Sequence, residues 1–183
     1  MRHLNSNILC AVTIKTTGSD AQKHELLEII VLPLASDLTI KKDILPFNVL
    51  IKPEKIRRAE YNLDNNFVLN CIEKGLDKYE AADIFEAWFE KLELRYSKKI
   101  MVLTHNWAAK RDFIKEWLQP TGFDKAFHHE YRDVQAIGLF YNDKFDFKNE
   151  MWPFPKVKLS YMCAVQKLEY EDRLPTVVDE AKA

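Results

Sequence analysis

The sequence predicts an α/β fold, a mixed sheet with helices on its faces, and three observations carry that reading. Short apolar runs crowd into residues 7–52, two longer stretches with helical spacing follow, and a compact apolar run then leads straight into a cappable helix. Ile8-Leu9-Cys10-Ala11-Val12 is short and apolar and is followed by Thr16-Thr17-Gly18-Ser19, so it reads as a buried, central strand closing in a turn. Leu26 to Leu34 is β-branched and apolar, and Phe47 to Ile51 stops before Pro53, which makes residues 7–52 a meander of strands. Residues 65–75 and 78–96 read as helices; in the second, Ile84, Trp88 and Leu92 recur every four residues with Phe85 and Phe89 beside them. Ile100 to Leu103 is a further buried strand. Asn106 is placed to cap a helix from Trp107 to Leu118, which Pro120 and Gly122 end. Val134 to Phe140 and Leu159 to Lys167 suggest two more short helices, separated by an irregular aromatic stretch from Tyr141 to Pro155.

No internal repeat, low-complexity tract or linker interrupts the 183 residues, so residues 1–183 are expected to form a single domain. Lys plus Arg number 27 against 28 Asp plus Glu, and a net charge of −1 gives no global drive toward polyanions; any attraction to them is local. Cys10, Cys71 and Cys163 are odd in number and widely spaced, which argues against a disulfide framework or a structural zinc site. The longest apolar runs are strand-length, and no basic start leads into an apolar core, so the expectation is a cytoplasmic protein with no membrane partner.

In sheets of this class ligands gather at the carboxyl ends of the strands, here Thr13 to Thr17 and Thr104 to Asn106. The segment Val12-Thr13-Ile14-Lys15-Thr16-Thr17-Gly18 resembles the first motif of the DEDD superfamily of 3′→5′ exonucleases: apolar, Asp, apolar, Glu, Thr, Thr, Gly. Thr104-His105-Asn106-Trp107-Ala108-Ala109-Lys110-Arg111-Asp112-Phe113 resembles the family's His-Asn-x-x-Phe-Asp-x-x-Phe segment, with Lys110 at the Asp. Tyr131-Arg132-Asp133-Val134 with Leu139 is similar to its Asp-Thr-x-x-Leu element, and Leu159-Ser160-Tyr161-Met162-Cys163 to its Leu-Ser-x-x-Cys helix. The last motif of the RNase T branch, His, four residues, Asp, falls on Leu174 to Asp179.

The resemblance, to the RNase T and DNA polymerase proofreading-subunit type, implies a ribonuclease H-like mixed five-stranded sheet flanked by helices. It also implies an activity: four carboxylates holding two divalent cations, with the His as general base. Matched position by position, the carboxylates become Thr13, Lys15, Lys110 and Asp179, and the base becomes Leu174. The formal charge of the four positions moves from −4 in the family to +1 here. Magnesium requires hard anionic oxygens, so the expectation is no metal, no cofactor and no intact catalytic residue.

Functional expectations follow in order. The first is a pseudoenzyme binding single-stranded RNA or DNA, or a 3′ end, without cleaving it, through Lys15, Thr16, Thr17, His105, Asn106, Trp107 and Lys110. Against it stands the plain reading of Lys15 and Lys110 as solvated lysines, Thr13 as a packed strand threonine, His105 and Asn106 as strand end and cap, and Trp88, Trp107, Trp117 and Trp152 as core. The alternative is a protein-interaction or homodimerisation module with a vestigial cleft. Last comes an active exonuclease with ligands relocated to Asp20, Glu25, Asp112 or Asp133. His128 and His129, adjacent on extended chain, are expected to point to opposite faces as surface residues, and Lys52, Lys55, Arg57 and Arg58 to form a solvated basic edge.

Overall fold

A computed structural model describes residues 7–35, 37–54, 65–96, 99–148 and 150–167, and Leu174, Asp179, Lys55, Arg57 and Arg58 lie outside them. The chain divides into two compact units, one up to Asp133 and one from Val134 onward.

The first unit holds one five-stranded sheet. Its strands are β1 (Ile8–Thr16), β2 (Leu26–Pro33), β3 (Phe47–Leu50), β4 (Ile100–Thr104) and β5 (Phe127–Asp133), in the order β3-β2-β1-β4-β5. β1 pairs antiparallel with β2 and parallel with β4, β2 pairs antiparallel with β3, and β4 parallel with β5, so the sheet is mixed and β1 is central as expected. Helices α1 (Asn65–Lys74), α2 (Lys78–Tyr96) and α3 (Trp107–Ala126) complete the unit.

Alternation along β1 sends Cys10, Val12 and Ile14 to one face and Ala11, Thr13 and Lys15 to the other. The first face carries the main core, in which Cys10, Val12, Ile29 and Val31 meet Ala81, Phe85 and Phe89 of α2 and Trp107 and Ile114 of α3. Phe85 stacks on Phe89 and Phe127 with centroids 6.3 and 5.9 Å away. Each such ring contributes roughly 1.5–3 kcal/mol by leaving water. On the other face Val68 and Cys71 of α1 pack against Leu27. The buried stripe of α2 runs through Ala81, Phe85, Phe89 and Leu92; Ile84, expected within it, is exposed. All three cysteines are free, and burial pushes the Cys71 thiol up to about 11.

Three other expectations shift. The helix after Asn106 does break near Leu118, but only at one residue: Gln119 takes φ 59° and ψ 158°, and the chain resumes as a helix to Ala126 with Pro120 opening the new segment. β5 is the strand the sequence hides, because FHHEYRD lies at the sheet edge and only Phe127 of it is buried. Its register against β4 slips between Ile100 and Val102, and within that irregularity the rings of His128 and His129 stack at 4.2 Å instead of pointing apart.

The second unit holds α4 (Val134–Phe147) and α5 (Leu159–Val165). Gly138 lets the helices approach closely: a Cβ there would lie 2.6 Å from Met162 Cε, so a larger residue needs the flexible end of Met162 to swing aside. α4 extends through part of the stretch expected to be irregular. The Asn142 side chain ties the rest back, donating to Phe154 O at 2.7 Å and accepting from Phe154 N at 3.0 Å. Trp152, expected in the core, is exposed.

Candidate functional site

The carboxyl ends of β1 and β4 lie side by side and present the motif positions. Thr13 is exposed rather than packed, because it sits on the face of β1 opposite the main core. Lys15, on the same face, stands opposite Glu28 of β2; its Nζ lies 3.3 Å from Glu28 Oε2 and 4.1 Å above the Phe67 ring of α1.

The turn after β1 is closed by its threonines. Thr16 Oγ1 donates to Gly18 O at 2.6 Å, while buried Thr17 exchanges bonds with Glu25: Glu25 N donates to Thr17 Oγ1 at 2.8 Å and Thr17 N to Glu25 O at 2.9 Å. A Cβ on Gly18 would meet the His24 ring at 2.3 Å, so the imidazole lies directly on the loop backbone. These threonines hold the loop, and their hydroxyls already have protein partners.

At the end of β4, buried Thr104 donates Oγ1–H to Val12 O at 2.6 Å, pinning the two strands together. Asn106 follows in the left-handed region with φ 60° and caps α3 through its side chain, which accepts from Ala109 N at 3.3 Å. Asp133 closes the site from the end of β5. Its carboxylate accepts from Asn106 N and Trp107 N, both at 2.8 Å, so a negative charge sits on the first amides of α3. Sequence reading placed Asp133 in a motif and among relocated ligands but missed this capping role, since the partners are 27 and 26 residues away.

Lys110 lies in the first turns of α3, half-buried, and its ammonium donates to His105 O. Burial holds its pKa below the ordinary lysine value, opposed by the negative charge of Asp133. Trp107 turns inward: it is 3% exposed and packs on Phe123, Phe127 and Tyr131, so its ring belongs to the core.

Lys15 and Lys110 therefore take different protein partners. Thr13, Lys15 and Lys110 supply one hydroxyl and two ammonium groups, a donor set that does not fit a pair of divalent cations. The other acids are dispersed: Asp20 holds Lys23 at 3.0 Å, Glu25 accepts from Glu54 N at 3.0 Å, and Asp112 pairs with Arg111 at 3.3 Å. Among the described residues no group of three His, Cys, Asp or Glu side chains is placed to hold a metal, and no helix is long and apolar enough to cross a membrane.

With this sheet order and these helices, the fold is exonuclease-like. Solved exonuclease I structures are similar to the chain. The ExoI/SSB-Ct complex matches 91% of it at TM-score 0.63 and 12% identity. E. coli exonuclease I in complex with a dT13 oligonucleotide matches 90% at 0.62 and 12%, and a product-bound exonuclease I matches 91% at 0.64 and 14%. The chain covers 37%, 37% and 40% of those three chains, well under half of each. No family model and no curated protein matches it.

Proposed function

We propose that this chain is a catalytically inactive exonuclease-fold protein of the RNase T and proofreading-subunit type, which holds single-stranded RNA or DNA at the ends of β1 and β4 without cutting it. The carrying observation is the residue set itself: Thr13, Lys15 and Lys110 stand where the motif resemblance puts carboxylates. Two ammonium groups in place of carboxylates favour a phosphodiester over the cations that would cleave it, and a bound phosphate competes with Glu28 for Lys15. Similarity to exonuclease I bound to oligonucleotide supports the choice of ligand class. In this reading His105 and Asn106 supply the turn that presents Lys110, Thr16 and Thr17 shape the loop beside Lys15, and Trp107 supports from the core.

The test pairs two assays on the full chain with a short single strand. Labelled RNA and DNA oligomers should survive incubation with magnesium or manganese, and fluorescence anisotropy should report binding that weakens with salt. Lys15→Ala with Lys110→Ala should flatten the salt slope by roughly one to two phosphate contacts. Metal-dependent trimming sinks the inactive reading, and affinity that the double variant leaves unchanged sinks the nucleic-acid one.

A second reading, a protein-interaction or homodimerisation module with an idle cleft, is favoured by the second unit. There Phe140, Phe147, Met151 and Trp152 are all exposed. Absence of oligonucleotide binding together with concentration-dependent sedimentation would select it.

A further inference from the structure

The second unit leaves one side of α4 open. Its α5 covers Gly138, where the end of Met162 approaches, and the chain after α4 folds back along the neighbouring side. There Phe154 is bonded to Asn142, and Trp152 Nε1 donates to Asp146 Oδ1 at 3.1 Å. At about 100° per residue, Gly138, Asn142 and Asp146 fill one side of the helix, and Ile137, Phe140, Tyr141, Lys144 and Phe147 fall in a stripe about 120° wide on the other. All five are exposed, Phe140 at 66% and Phe147 at 91%.

The rings of the stripe are free to receive a flat ligand. Phe140 and Tyr141 meet edge to face, with centroids 6.2 Å apart and planes at 74°, so each blocks at most one face of the other. Phe147, at the end of the helix, is almost wholly in water. An apolar stripe left so exposed marks a contact surface.

Charge decides what it contacts. Lys144 stands in the stripe between Phe140 and Phe147, and Lys148 follows its end. Among the described residues neither lysine belongs to an ion pair. Asp143 borders the stripe, and Asp146 lies across the helix, engaged by Trp152. The described residues of the unit carry five lysines against three acids, although the whole chain is at −1. A second copy fits poorly, because a two-fold contact sets a patch against itself and brings these lysines together. Free ammonium groups alternating with open rings on a convex surface match a polyanion with flat apolar parts. A single-stranded nucleic acid is that ligand: its bases stack on rings and its phosphates meet lysines.

We propose that this stripe of α4 is a stacking platform for unpaired bases of a single strand, with Phe140 and Phe147 each taking a base and Lys144 a phosphate between them. Phe140 and Phe147 are about 10 Å apart along the helix axis, too far for two bases stacked on each other, so the strand is held splayed. The proposal rests on the reading of this chain as a single-strand binder and adds a contact that the motif positions do not supply.

The test measures fluorescence anisotropy of a short labelled oligothymidylate with the full chain, beside a strand of equal length built from abasic tetrahydrofuran sugars. Phe140→Ala with Phe147→Ala should weaken oligothymidylate binding roughly tenfold and leave the abasic strand's affinity unchanged. Phe140→Trp with Phe147→Trp should keep binding, which separates lost stacking from lost folding. Lys144→Ala should reduce the salt slope by about one phosphate contact. The proposal is overturned by undiminished binding in the alanine pair or by an equal loss on the abasic strand. Self-association that sedimentation shows in the parent and not in the alanine pair would also overturn it and give the face to a second copy. Loss in the alanine pair with none in Lys15→Ala, Lys110→Ala overturns the cleft reading and supports this one, the reverse pattern overturns this one alone, and no oligonucleotide binding at all overturns both.

Discussion

Lys15 and Glu28 face each other in register across the β1–β2 ladder, 3.3 Å apart, so the cation at the end of β1 is neutralised by the strand beside it. The side chain of Glu28 is 14% exposed and that of Lys15 38%, a setting between a surface pair and a buried one. Glu28→Ala strands the ammonium against Phe67 and should cost about 1 kcal/mol of stability in urea unfolding. Lys15→Met keeps the packed stem, so adding Glu28→Ala to it should cost less than in the parent. Additive losses in that double-mutant cycle would show the pair to be uncoupled.

Asp133 bears on the fold and the cleft together. It accepts two amide protons at the start of α3, and Asp133→Ala leaves both without that acceptor. The expected loss is about 2 kcal/mol, and Asp133→Asn, which keeps one acceptor oxygen, should lose about half as much. Hydrogen exchange at Asn106 and Trp107 should rise in both variants. Unchanged protection there would contradict the capping role.

These two residues show what the sequence makes legible. β1, β2 and β4 can be read because apolar runs record burial, and Asn106 because a cap is local. β5 cannot, since it lies at a sheet edge with only Phe127 buried and so carries no apolar run, and Asp133 cannot, since its partners come close only after β4 and β5 pair. The motif spacing places Thr13 and Lys15 in the second half of β1 and Lys110 in the first turns of α3, just after β4. It carries no information on side-chain partners, so the Lys15 to Glu28 pair is not evident in it, whereas the plain reading of Trp107 as core is what the structure shows.

Lys110 gives a pH dependence of definite sign. Burial lowers its pKa in the folded protein below the ordinary value of 10.5, so near that pH the unfolded chain binds more protons at this site than the folded one. Stability from this group therefore rises as pH climbs from just below the folded pKa to the unfolded value, as the cost of burying the charge disappears. Lys78 and Lys125 shift the opposite way, held up by Glu54 and Glu86, and lose stability as pH rises through their folded values. The comparison must thus be with Lys110→Met: in the alkaline window just below pH 10.5 the parent should gain on the variant as pH rises. A constant difference across that window would mean that the folded site does not depress the lysine.

The last prediction concerns Gln119, the residue at which α3 breaks. Its φ of 59° with ψ of 158° falls in a region that only glycine enters without strain, and Pro120 forbids the simple remedy of continuing the helix through it. The side chain recovers part of the cost, since Nε2 donates to Glu116 O at 2.9 Å from an exposed position, a bond worth little in water. Gln119→Gly removes the strain and loses that bond, and glycine's greater freedom in the unfolded chain offsets a further part. The terms leave a net gain of about 1 kcal/mol, visible as a rise of a few degrees in melting temperature. Gln119→Ala keeps the strain and loses the bond, so it should melt below the parent. If glycine also melts lower, the bend is held by contacts of the glutamine side chain rather than tolerated in spite of its backbone.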